Sequence, residues 1–197
     1  MKIKRIVGGN LESNGYILYQ SDGGHCYVID PGYNAEKFAE QIKASNLKVD
    51  GILLTHHHYD HTGAVDKLSQ LTDSPIYMHW GDLEMYRGTV HHTLEDRAEL
   101  DLEGEKLIVY HTPGHTEGSV CFYSEDSKMV FTGDTIFNVD LGRTDLEDGS
   151  DYKMEQSIRE VVNKWENDIT IYPGHGNSCT MKYVRQHNKE FLDIVGR

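Results

Sequence analysis

An α/β domain with mixed sheets covered by helices is the fold class this chain predicts, on three observations. Short apolar runs rich in β-branched and aromatic residues recur along it. Stretches with apolar residues at helical spacing separate them. One pair of runs reads as an antiparallel hairpin, so the sheet cannot be purely parallel. At 197 residues there is room for one well-filled domain of two or three layers, and the expected organisation is a single domain over 1–197.

In chain order, YILYQ and CYVIDPG (26–32) form the hairpin, turning through Ser21-Asp22-Gly23-Gly24. AEKFAEQIKAS (35–45) follows as an amphipathic helix with its charges on one face. GILLTHHHYDH (51–61) is the next strand, and TGAVDKLSQL (62–71) the next helix. LIVYHTPGH (107–115) and MVFTGD (129–134) are further strands. The helix DYKMEQSIREVVNKWEN (151–167) precedes the last strand, ITIYPGH (169–175). All five β-type runs from CYVIDPG onward end in a polar turn. Pro31, Pro113 and Pro173 stand in Pro-Gly pairs, which break the strand and allow a tight turn that aims a neighbouring side chain. A functional site is therefore expected along one rim of the sheets.

Composition narrows the function classes. The chain has 32 acidic and 19 basic residues, a formal charge of −13, and no Lys/Arg block. A phosphate backbone would be met by clustered positive charge, so no nucleic-acid partner is expected. MKIKRIVGG begins basic, but its apolar stretch ends at Val7 and no run approaches bilayer length, so no membrane partner is expected and the chain reads as unexported. Cys26, Cys121 and Cys179 are odd in number and widely spaced, with no CxxC, which excludes a disulfide framework and fits a reducing cytoplasm. Cys179 follows His175 by four residues and is assigned no role.

The chemistry starts at His56-His57-His58-Tyr59-Asp60-His61, an H-x-H-x-D-H string between a strand and a helix-opening Thr62-Gly63. Alternate residues of an extended segment point the same way, so His56 and His58 can grip one metal while the turn swings Asp60 and His61 towards a second. His57 and Tyr59 should point elsewhere. His115 would complete a three-His site with an open position, His175 would serve the Asp60/His61 metal, and Asp134 can bridge the two. An isolated His near a strand end is more often hydrogen-bonded than a ligand. Seven donors in this order reverse that expectation. His25, His79, His91, His92, His111 and His187 lie off the set.

At these residues the chain resembles the metallo-β-lactamase superfamily, most closely its short bacterial glyoxalase II-like hydrolases. The resemblance rests on THHHYDHTG (55–63), TPGHTEGS (112–119), FTGDTIF (131–137), GRTDL (142–146) and YPGHG (172–176), in family order. It implies a four-layer αβ/βα sandwich of two mixed sheets flanked by helices, with the site at one edge. It assigns His56, His58 and His115 to one metal and Asp60, His61 and His175 to the other, with Asp134 bridging. The cofactor implied is two divalent ions, zinc first, with iron or manganese as alternatives.

What the resemblance implies for function is hydroxyacylglutathione-hydrolase-type chemistry on a small acyl-thiol substrate. A metal-bridging hydroxide attacks the acyl carbonyl, with Asp60 and Asp134 as the catalytic carboxylates. The helical region with which glyoxalase II holds glutathione has no counterpart in the 22 residues after His175. Asp145 replaces a tyrosine, and Arg143 is kept as the candidate for a substrate carboxylate or, equally, for a salt bridge with Asp145. Asp140 stands where those relatives carry a small or apolar residue. Two other chemistries share the strings: a mononuclear iron persulfide dioxygenase using His56, His115 and Asp134, and a lactonase or other acyl hydrolase.

Overall fold

The computed structural model describes residues 1–196, and the order of strands explains where the site lies. The first sheet contains β1 (Lys2–Gly8), β2 (Ser13–Tyr19), β3 (His25–Ile29), β4 (Lys48–Leu53), β5 (Ile76–His79) and β6 (His92–Leu94), side by side in that order. Its first three strands are antiparallel and the rest parallel. The second contains β7 (Glu99–Leu102), β8 (Glu105–His111), β9 (Val120–Ser124), β10 (Met129–Gly133), β11 (Thr170–Pro173) and β12 (Cys179–Thr180). There the order is also sequential, and only β10 and β11 run parallel.

Side-chain alternation then sets the layers. In β2, Tyr16 and Leu18 face the second sheet, whereas Ile17 and Tyr19 face helices α1 (Ala35–Ala44) and α3 (Val65–Thr72), whose Phe38 and Leu68 complete that outer core. In the second sheet, Phe122 and Phe131 turn inward. Cys121 and Val130 turn outward to Met154 and Ile158 of α4 (Asp151–Glu160), Val184 of α5 (Met181–His187) and Phe191 of α6 (Lys189–Val195). Three apolar layers between four structural ones make the αβ/βα sandwich.

Two helix boundaries differ from the sequence pattern. Residues 59–62 form a separate short helix, α2 (Tyr59–Thr62), and α3 starts only at Val65. Gly63 explains the break: a Cβ there would lie 2.7 Å from the Gly32 carbonyl, so the chain presses against the Pro31-Gly32 turn, and Ala64 N donates to Pro31 O. The last helical run stops at Glu160 and tightens into a 3₁₀ turn, Val162–Lys164, before Trp165 enters the core. Edge strand β1 escapes the apolar-run criterion because only Ile6 in it is buried, and its lysines and arginine guard the sheet edge.

At one end the two sheets are tied together. Asn14 N donates to Gly174 O, Asn14 Nδ2 to Pro173 O, Tyr16 Oη to Pro173 O, and Val120 N to Thr55 O. That stitched end holds the polar turns after β4, β8, β10 and β11.

Candidate metal centre

All seven predicted donors meet at this end. His56 and His58 follow β4, α2 carries Asp60 and His61, His115 follows β8, Asp134 follows β10 and His175 follows β11. His56, His58 and His115 each present an atom within 4.8 Å of the others, and so do Asp60, His61 and His175. The same closeness holds for Asp30 with His56 and His61, and for His57 with His58 and Asp148.

Hydrogen bonds choose the tautomers of the first set. Thr55 Oγ1 donates to Asp30 Oδ2 at 2.6 Å, so it accepts from His56 Nδ1 at 3.0 Å and leaves His56 Nε2 with a lone pair. His115 Nδ1 donates to the Arg143 carbonyl at 2.7 Å, which frees His115 Nε2. That nitrogen stands 2.9 Å from His58 Nδ1. Burial, reinforced by the neighbouring imidazoles, holds His56 well below the usual histidine range and lowers His58 to about 4. His56 and His58, held neutral, and the Nε2 of His115 that the Arg143 carbonyl leaves free are donors ready for a cation.

The second set is carboxylate-rich. His61 Nε2 lies 3.2 Å from Asp60 Oδ2 and 3.3 Å from Asp134 Oδ1; its Nδ1 lies 3.3 Å from Asp30 Oδ2. His175 Nε2 is 3.1 Å from Asp60 Oδ2, while its Nδ1 donates to Leu11 O at 3.0 Å. Burial opposes a proton on His61 and His175, but the carboxylates around them prevail, raising His61 well above its ordinary value and His175 to about 9. Burial would raise Asp60 and Asp134, yet the facing imidazoles hold both low. Positive charge is thus what this cluster favours, and a divalent cation would supply it in place of protons. Asp134 stands between the sets: its Oδ2 lies 3.5 Å from both His115 Nε2 and His175 Nε2.

The donors fit such ions on a further observation. His56 Nε2 and Asp134 Oδ1 are buried without a hydrogen-bond partner among the described residues. Leaving buried polar atoms unpaired is costly, and coordination relieves it. The backbone leaves room for this. A Cβ on Gly174 would come within 2.1 Å of Asp134 Oδ1, and one on Gly133, at φ +47°, within 2.3 Å of Thr55 Oγ1.

Asp30 is a functional residue that the motif reading does not assign. Buried and at φ 48°, it accepts from Thr55 N and Thr55 Oγ1 and faces His61, so it orients members of both sets. Its signal was present in CYVIDPG, a strand ending in Asp-Pro-Gly like the other polar turns. His57 does turn away from the donors, towards Asp82 and Asp148. Tyr59 is exposed and lines the mouth of the site. Cys179 packs in the outer core of the second sheet, and Asp140 takes part through its backbone carbonyl, which accepts from Phe137 N and Asn188 Nδ2.

The donors open into a cavity of about 520 Å³ whose rim is formed by Leu11, Tyr59, Phe137, Arg143 and Leu146. Arg143 is exposed, and its guanidinium binds Asp145 through two parallel bonds, Nε to Oδ1 at 2.7 Å and NH2 to Oδ2 at 2.9 Å. The salt bridge with Asp145 expected for Arg143 is present.

A sandwich with such a rim of histidines and aspartates is the architecture of the metallo-hydrolase superfamily. The metallo-beta-lactamase superfamily model matches residues 8–175, and the chain belongs to that superfamily. Among its relatives, the probable metallo-hydrolase YqgX of Bacillus subtilis (strain 168) is 32% identical, over 98% of each chain. A hydroxyacylglutathione hydrolase of Francisella philomiragia is also 32% identical, over 89% of this chain and 68% of the relative. Among solved structures, the B3 metallo-beta-lactamase BLEG-1 superposes with a TM-score of 0.90 at 29% identity, covering 96% of this chain and 99% of that one. TTHA1623 in a di-iron-bound form gives 0.84, also at 29% identity, covering 95% and 99%. No helix among the described residues is long and apolar enough to cross a membrane.

Proposed function

We propose that the chain is a metal-dependent hydrolase of small acyl thioesters. Two divalent cations would be held, one by His56, His58 and His115, the other by Asp60, His61 and His175, with Asp134 shared between them. The position of Asp134 carries the reading, because its oxygens approach nitrogens of both sets at 3.3–3.5 Å. Zinc is the first candidate for a set of three imidazoles. The di-iron form of TTHA1623 keeps iron as the alternative.

When bound, the cations supply a water acidic enough to ionise near neutral pH and a Lewis acid for the acyl oxygen. The remaining work falls to the chain. Asp60 and Asp134 line the cavity as hydrogen-bond acceptors that orient the attacking water. Leu11, Phe137 and Leu146 give its mouth an apolar wall for the acyl group. An amine leaving group would need a general acid, which the apolar wall of Leu11, Phe137 and Leu146 does not supply. A thiolate, whose conjugate acid has a pKa of about 8.5, departs without that help, which favours a thioester over an amide. The 32%-identical hydroxyacylglutathione hydrolase supports the same class.

The test is a panel of thioesters, lactones and β-lactams on protein loaded with zinc, iron or manganese, alongside His58→Ala. Thioester turnover that depends on two equivalents of metal and collapses in His58→Ala is the expected result. One iron per chain with oxygen uptake on a persulfide would replace this reading with a dioxygenase.

A further inference from the structure

Asp82 ends the 3₁₀ turn Trp80–Asp82 that follows β5, and it is 0% exposed. Its carboxylate accepts three hydrogen bonds. Oδ2 takes them from His57 N at 2.8 Å and Thr116 Oγ1 at 3.0 Å, and Oδ1 takes one from Gly118 N at 2.5 Å. His57 Nδ1 lies a further 3.2 Å from Oδ2. These donors belong to two segments far apart in sequence. One is the peptide between His56 and His58; the other directly follows His115. A single buried carboxylate therefore ties together both stretches that carry the three-His set.

The approach is close enough to transmit position. A Cβ on Gly118 would lie 2.5 Å from Asp82 N, and one on Gly81 would lie 3.0 Å from Gly118 Cα. The other donors are held elsewhere. Ser13 Oγ donates to Asp60 O at 2.7 Å, His175 Nδ1 bonds to Leu11 O, and Asp30 faces His61.

We infer that Asp82 is the positioning residue of the three-His set alone, fixing the span between His56/His58 and His115 while leaving the Asp60/His61/His175 set untouched. The inference rests on the reading of the rim as a two-metal centre. It predicts that the two metal affinities can be separated by a change that touches no ligand. Asp82→Asn is the informative variant because both carboxylate oxygens accept from N–H or O–H donors. Whichever way the amide turns, its NH₂ meets a donor and one tie is broken.

Zinc affinity is measured by competition with a chromophoric chelator in two backgrounds, His175→Ala and His58→Ala, each leaving one set intact. Adding Asp82→Asn to His175→Ala is expected to weaken binding roughly 10–100-fold, the usual effect of losing a partner behind the ligands. Added to His58→Ala, it should change affinity by no more than about twofold, as for separate sites. Equal losses in both backgrounds, or none in either, overturn the inference. Thermal unfolding of the metal-free proteins checks folding. If Asp82→Asn does not fold, Thr116→Val, which deletes one of the three bonds, takes its place: a smaller loss confined to the His175→Ala background supports the inference, and an equal loss in both overturns it. A wild-type chain that binds no zinc would instead overturn the metal reading itself.

Discussion

His58 Nδ1 and His115 Nε2 face each other at 2.9 Å across 57 residues of sequence. His115 commits its other nitrogen to the Arg143 carbonyl, so the facing one is a lone pair. His58 is held neutral at ordinary pH. The two nitrogens meet at one point, as two ligands of a single cation would.

Metal should therefore stabilise the fold as well as enable turnover. Zinc at a hundred times its dissociation constant is expected to add about 2.7 kcal/mol. That raises Tm by about 5–10 °C for a domain of this size. Differential scanning calorimetry with and without a chelator measures it. His58→Ala and His115→Ala should lose most of that shift and more than about 100-fold in activity, beyond the loss usual for partners behind the ligands. An unchanged shift in both variants would remove these imidazoles from the centre.

Gly174→Ala tests the closeness of backbone and carboxylate. The added methyl would meet Asp134 Oδ1 at 2.1 Å and His61 Cε1 at 2.7 Å. Overpacking of this kind costs about 1–3 kcal/mol, which chemical denaturation reads directly. Displacement of Asp134 should also abolish the second equivalent of bound metal, counted by elemental analysis. A variant with two metals and normal turnover would show that Asp134 is not shared.

Glu105 sets an acid limit on stability far from the site. Burial would raise its carboxyl, but Ser124, Ser127 and Gln20, together with the chain's own ammonium, outweigh burial and hold it low. An acid whose folded pKa lies below its unfolded one stabilises the fold above the unfolded value of about 4.3. That contribution disappears as pH falls through the folded pKa. Glu105→Gln should thus be less stable than wild type at neutral pH, and the gap should close below about pH 4. Urea melts across pH 3–7 follow it; a gap independent of pH would contradict the assignment.

Arg143 and Asp145 pair at the rim of the cavity. The bidentate pair takes up Nε and one Nη of the guanidinium, so its charge is partly met before a carboxylated substrate arrives. Asp145→Asn should lower KM for thioesters bearing an acyl-side carboxylate while leaving KM for neutral ones unchanged. Arg143→Ala should cancel the gain. Equal changes for both substrates would place the pair outside the binding path.

The helices and strand ends follow from local pattern. The apolar spacing of AEKFAEQIKAS yields α1, and the polar ends of ILL, VFTG and TIYP place the donors on one rim. The edge strand Lys2–Gly8 was not legible, because an edge buries too little to show an apolar run. Asp30 and Asp82 were not legible as partners of the ligands either. One reaches Thr55 across 25 residues, and the other reaches Gly118 across 36. No local pattern encodes such distances.

By itself the sequence determined the kinds of donor and their order, because ligand chemistry belongs to side chains and strand or helix preference to short windows of residues. Only the tertiary structure decided which nitrogen of each imidazole faces the centre, that Arg143 pairs with Asp145, and that the buried carboxylates of Asp30 and Asp82 bond to the segments carrying the donors. Those outcomes depend on hydrogen bonds made when two sheets close on each other. A hydrogen bond exists only once packing has brought its partners within about 3 Å.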